Sequence, residues 1–134
     1  MKRILIVDDE PHVIRILRLA LEQNGYLIDD AANGIQAMEY LGKQHPDLVI
    51  TDIDMPRMNG KELCMEISKI FPDRVFPIYV LTARAELEHR QWAKEIPNME
   101  FMEKPVSIRK LLSDLDNFFA RKNVFEESTC QTGH

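Results

Sequence analysis

Short apolar runs alternate with helical patterns along the chain. Residues 4–7 (ILIV) are unbroken, apolar and rich in β-branched side chains, as a strand buried on both faces requires. In PHVIRILRLALEQNG, Pro11 suits a first helical turn, and Val13, Ile16, Leu17, Ala20 and Leu21 recur at helical spacing. Gly25 supplies a left-handed stop. Residues 26–32 (YLIDDAA) read as a weaker strand and 34–44 (GIQAMEYLGKQ) as a short helix. Residues 47–51 predict another buried strand. Gly60 then precedes a helix, KELCMEISKIF, which ends before Pro72. PIYVLTA, from Pro77, predicts a strand, ELEHRQWAKEI a polar helix with few apolar anchors, and MEFME a short strand. SIRKLLSDLDNFFARKN predicts a last helix with Ser107 as N-cap.

This order amounts to five βα units. It predicts an α/β fold, a doubly wound five-stranded parallel sheet with helices on both faces. At 134 residues the chain is long enough for one domain with a single substantial core. We expect that domain to span 1–123. Residues 124–134 (VFEESTCQTGH) are expected to form a polar tail, frayed or the start of a linker.

Composition narrows the chemistry. The formal net charge of -5 argues against a nucleic-acid or anionic-membrane surface. It favours a small cation site. Cys64 and Cys130 lie far apart and belong to no metal-binding spacing. Cys64, in a helical pattern, is expected as a buried apolar residue. The opening MKRILIVDDE is broken by Asp8 before it could serve as a signal peptide, and no apolar run is long enough to span a membrane. The expected location is cytoplasmic. His12, His45, His89 and His134 show no ligand spacing and are expected in solvent.

In an open parallel sheet, ligands bind at the carboxyl ends of the strands. The first strand ends in Asp8-Asp9-Glu10, the third in Asp52 and Asp54, the fourth in Thr82 and the fifth in Lys104-Pro105. Gathered in one crevice, such carboxylates repel unless a cation neutralises them. Oxygen ligands with open positions suit a hard cation, magnesium above all. A hydroxyl and an ammonium then suit phosphoryl oxygens. One carboxylate in line with phosphorus can act as nucleophile and form an acyl phosphate.

IVDDE, DLVITDIDMPRMNG, VLTAR and FMEKP stand in the order and at the separations of the receiver domain of two-component response regulators. The chain resembles that family from Lys2 to about Asn123. The resemblance implies a flavodoxin-like (βα)5 fold and a signalling switch rather than an enzyme, with only intrinsic phosphotransfer and autodephosphorylation chemistry. It makes Asp52, four residues before Pro56, the phosphoacceptor. It gives Asp9 a direct magnesium contact, Asp8 a largely water-mediated one, and the third protein ligand to the backbone carbonyl of Asp54. Manganese can replace magnesium. Thr82 would contact the phosphoryl group and move on activation, Lys104 would pair with its oxygens across a cis Lys104-Pro105 bond, and Phe101 would be the aromatic switch. The implied partners are a sensor histidine kinase or phosphotransfer protein and a downstream protein or output domain. Its surface of fourth helix, fifth strand and fifth helix would change on phosphorylation. The chain would be a monomer or a phosphorylation-dependent dimer.

Several positions depart from the family pattern. Ile96-Pro97-Asn98-Met99 stands where a Gly-Ala pair is frequent, Phe101 where Tyr is common, Val106 where Phe is frequent, and Lys110 where one DNA-binding subfamily carries Glu. Asp54 and Arg84 flank the reaction centre, and an opposite-charge pair there would modulate phosphoryl lifetime. Two other readings were weighed. Asp52-Ile53-Asp54 resembles the DxD of haloacid-dehalogenase-type phosphohydrolases, but Pro56 stands where that family has Thr, and the motif follows the third strand. A degenerate receiver that is never phosphorylated sits poorly with the full set of Asp8, Asp9, Asp52, Thr82 and Lys104.

Overall fold

The computed structural model describes residues 2–82, 91–104 and 107–132, with backbone alone from residue 121. Strands form where the apolar runs predict them: β1 (Arg3–Val7), β2 (Leu27–Ala31), β3 (Leu48–Asp52), β4 (Ile78–Thr82) and β5 (Met99–Glu103). Every neighbouring pair is parallel, in the order β2-β1-β3-β4-β5. The chain winds outward in both directions from β1 and β3. This reversal opens a crevice at their carboxyl ends, where ligands bind in such sheets.

The central strands are apolar throughout because both faces are covered. Even-numbered residues of β1 and β3 (Ile4, Ile6, Leu48, Ile50) meet Leu17 and Leu21 of α1 (Pro11–Gln23) and Leu111, Leu115 and Phe119 of the C-terminal helix (Ile108–Thr132). Odd-numbered residues (Leu5, Val7, Val49) meet Ala37 and Leu41 of α2 (Gly34–Lys43) and Leu63, Cys64 and Ile67 of α3 (Gly60–Ile70). The period-two alternation of a strand thus feeds two separate cores.

The expected details hold with some changes. Gly25, at φ +90°, lies in the left-handed region just after α1. Ser107 Oγ accepts from the Lys110 backbone N–H at 3.3 Å, as an N-cap does. Ile16, expected on the core face of α1, is 56% exposed. The buried row is Leu17 and Leu21, four residues apart, and one residue's step of about 100° turns Ile16 away from it. Phe119 is buried and its neighbour Phe118 only partly so, as adjacent helical positions dictate. Cys64 is fully buried. His45 is exposed but sets its ring edge-on to Phe71 and Phe76. The C-terminal helix runs past Asn123 to Thr132, so the stretch read from composition as a tail has helical backbone. The polar helix expected over 86–96 falls partly on residues 83–90, outside those described; residues 91–93 are helical. Among the described residues no helix is long and apolar enough to cross a membrane.

Candidate functional site

The carboxyl ends of β1 and β3 bring three carboxylates together. Asp8, Asp9 and Asp52 each offer an oxygen within 4.8 Å of the other two. Asp52 is the last residue of β3 and only 5% exposed. Its Oδ1 accepts from the backbone N–H of Ile53 at 2.9 Å and from Lys104 Nζ at 2.7 Å. Lys104 reaches it from the end of β5, where its own N–H donates to the carbonyl of Thr82. Thr82 closes β4 and is buried.

Asp8 is 2% exposed. Burial pushes its carboxyl above the usual aspartate range; the Glu10 N–H, which donates to Oδ1 at 2.9 Å, and the Lys104 charge only partly oppose this. Asp52 and Asp9 add repulsion. Burial alone would lower Lys104, but the hydrogen bond and charge of Asp52, with Asp8 and Glu10, outweigh it and hold the ammonium above its ordinary value. Three acidic groups therefore face one ammonium. Asp8 Oδ2 is buried and, among the described residues, has no hydrogen-bond partner. A buried acceptor without a donor is costly. A cation would satisfy it, and an all-oxygen set with open positions fits a hard divalent ion.

The loop after β3 is fixed largely by backbone. Gly60 donates its N–H to the Ile53 carbonyl at 2.9 Å. A Cβ on Gly60 would lie 2.5 Å from the Asp52 carbonyl oxygen, so only glycine fits without movement. Asn59 and Glu62 form a reciprocal capping box that starts α3 at that point. The Asn-x-x-Glu spacing carries this signal in the sequence. Asp54, two residues past Asp52, is exposed, and its side chain is not one of the three clustered carboxylates.

Phe101 lies in the middle of β5, beside Val80 of β4. It is half-buried, and the ring of Trp92 meets it edge-on at 5.6 Å. Trp92, expected in its polar helix to be either partly exposed or packing filler, is 8% exposed and joins the core on the α2–α3 face. Asn98, in the segment that departs from the Gly-Ala pattern, takes φ +57°, which asparagine tolerates. Arg84, Pro105 and Val106 lie outside the described residues, and with them the expected Asp54–Arg84 pair and the cis Lys104-Pro105 bond.

Comparison with known proteins agrees with this geometry. Residues 4–116 match the response regulator receiver domain model. Response regulator MprA of Mycobacterium ulcerans (strain Agy99) is 31% identical over 130 residues, 97% of this chain and 55% of its own length. The chain therefore spans about half the length of the curated relatives it matches. Among solved structures, the CheY-like receiver of Methanospirillum hungatei JF-1 superposes with a TM-score of 0.82 at 28% identity, covering 92% of this chain and 97% of that one. TrrA of Thermotoga maritima, in complex with Mg(2+)-BeF, gives a TM-score of 0.75 at 35% identity, covering 87% and 98%. The chain belongs to the response regulator receiver domain family, whose members serve in signalling by two-component systems.

Proposed function

We propose that the chain is a phosphorylation-dependent switch whose acceptor is Asp52. The observation that carries this reading is the buried Asp52 carboxylate, 2.7 Å from Lys104 Nζ and within 4.8 Å of Asp8 and Asp9. The donor is a phosphohistidine on a sensor kinase or phosphotransfer protein. An Asp52 oxygen bonds to phosphorus as the phosphorus–nitrogen bond breaks, and the imidazole leaves and takes up a proton. Asp8, Asp9, Asp52 and the Asp54 carbonyl would hold magnesium, which would supply positive charge against the transferred oxygens. The structure of Thermotoga maritima TrrA with Mg(2+)-BeF supports that ligand chemistry.

Each remaining residue has one task. Lys104 passes its ammonium to a phosphoryl oxygen, Thr82 donates its hydroxyl to another, and Phe101 follows Thr82 along the β4–β5 pair. Asp54 and Arg84 modulate the lifetime of the acyl phosphate. The domain acts as a signalling element in the cytoplasm without sustained turnover. Residues 1–123 form the receiver unit, with 124–134 as its tail or the start of a linker, and the output is a downstream protein or a further domain.

The test is intact mass after incubation with acetyl phosphate, with and without magnesium. Wild type should gain one phosphoryl group only with magnesium, and Asp52→Asn should gain none. A gain that persists in Asp52→Asn would move the acceptor, and Asp54→Asn would then identify the alternative.

A further inference from the structure

The loop between β3 and α3 is held at both ends by the amide of a glycine that begins a helix. Gly60, the first residue of α3, donates to the Ile53 carbonyl at 2.9 Å. Gly34, the first residue of α2, donates to the Met58 carbonyl at 3.2 Å. The first N–H groups of a helix have no partner inside it, and here two of them serve one loop. The second hold is as close as the first. A Cβ on Gly34 would lie 2.6 Å from Met58 Cγ, 2.7 Å from Met58 Cβ and 2.8 Å from the Met58 carbonyl oxygen. Gly34 is buried, and Met58 packs against the α2–α3 core. The turn that carries Gly34 is itself fixed. Asn33, 6% exposed, accepts from the Gln36 N–H at 2.9 Å, and Gln36 Oε1 accepts from the Ala32 N–H at 2.8 Å. At its other end, the Ala31 carbonyl accepts from the Asp8 N–H at 3.1 Å. The turn from Ala31 to Gly34 therefore joins Asp8 to the loop that contains Asp54.

We infer that this turn is a spacer that sets the opening of the cation site, with Gly34 and Met58 as its positioning residues. The inference rests on the magnesium reading given above. Asp8 and the Asp54 carbonyl belong to segments that the turn holds a fixed distance apart. A side chain on Gly34 drives Met58, and the loop with it, away from the turn, because two of the three obstructing atoms are the Met58 Cβ and carbonyl oxygen, which no side-chain rotation can move. Magnesium takes oxygens at about 2.1 Å in near-regular octahedra, whereas calcium accepts about 2.3–2.6 Å and variable geometry. A displaced loop therefore weakens the hold on magnesium more than the hold on calcium.

The experiment titrates the full, unphosphorylated chain with magnesium chloride or calcium chloride. Proton–nitrogen NMR spectra give the Kd from amide shifts, and their dispersion shows that each variant is folded. Gly34→Ala should weaken magnesium binding about tenfold, the lower end of what outer partners of a metal site contribute, and calcium binding by a smaller factor. Met58→Ala, which removes the side chain that rests on Gly34, should move the preference in the same direction by less. Gly42→Ala also adds a methyl group to α2, but with nothing within 4 Å of it, and should leave both affinities at wild-type values. Wild-type magnesium affinity in Gly34→Ala, an equal loss for the two ions, or the same loss in Gly42→Ala would each overturn the inference and leave the cation site standing. A wild type that binds no magnesium would overturn the magnesium reading, and the spacer with it. If Gly34→Ala fails to fold, Met58→Ala decides, and unchanged affinities or an equal loss for both ions would overturn the inference there too.

Discussion

Replacing Gly60 with alanine adds one methyl group where the main chain leaves none. The new Cβ would stand 2.5 Å from the Asp52 carbonyl oxygen, 2.7 Å from Ile53 Cα and 3.2 Å from the Asp52 carbonyl carbon. Ordinary contact between such atoms begins near 3.5 Å, so the worst approach falls roughly 1 Å short. All three obstacles are backbone, and none can rotate away. Overpacking of this kind costs about 1–3 kcal/mol, and the helix preference of alanine returns at most about 1 kcal/mol. Gly60 is the first residue of α3, where little of that helix-interior preference is realised, so the expected net loss stays at about 1–3 kcal/mol. Gly42→Ala is the control. It adds the same methyl group to α2 with nothing within 4 Å, and should stabilise by about 0.5–1 kcal/mol. Urea unfolding followed by far-ultraviolet circular dichroism reads both signs on one scale. On the proposed role of Asp52, Gly60→Ala should also slow phosphorylation, because relief of the clash moves that residue. A Gly60→Ala protein as stable as wild type would refute the claim that the β3–α3 turn is closed by this approach.

Two further outcomes follow from buried ionisable groups. Burial and its hydrogen bond to Asp29 push the Tyr40 hydroxyl up to about 12 from the ordinary 10. The unfolded chain releases this proton first, so stability present below pH 10 is lost as pH rises from 10 toward 12. Tyr26, raised by burial and by its bond to Asp116, acts in the same direction. Urea midpoints should therefore fall between about pH 9 and about pH 11, and Tyr40→Phe should flatten the decline; an unchanged decline would exclude Tyr40 as a source. Burial likewise pushes the Cys64 thiol up to about 12. In a Cys130→Ser background, iodoacetamide near neutral pH should leave Cys64 unmodified until urea unfolds the protein; labelling of the native chain at the rate of a free thiol would contradict its burial.

The five strands, their parallel sheet and the carboxylates at its strand ends are legible in the sequence because they rest on local, repeated signals. Ile4 to Val7 and Leu48 to Ile50 are short, unbroken, β-branched apolar runs, the pattern of strands buried on both faces, and parallel strands of that kind present their end groups together with those of their neighbours. Asp8, Asp9, Asp52 and Lys104 follow from that geometry. Packing partners were less legible. Nothing in the polar surroundings of Trp92 says that its ring meets Phe101, since the two are joined through tertiary contact alone. The burial of Ile16 is not legible because Val13, Ile14, Ile16, Leu17 and Leu19 are all apolar, and period alone cannot choose the stripe. The closure of Gly60 on Asp52 is a backbone contact between residues eight apart, for which glycine in the sequence is only a hint.

The turn after β3 divides its residues between two audiences. Asp52, Ile53 and Met55 face inward and are buried, while Asp54, Pro56 and Arg57 face outward and are exposed. The inward set and Gly60 fix the Asp52 carboxylate through main-chain atoms. The outward side chains take no part in that closure, although Asp54 lends its main-chain carbonyl to the proposed metal site. Pro56 and Arg57 are therefore the outer letters that a designer, or natural drift, can rewrite to change what the domain meets while Asp52 stays where it is.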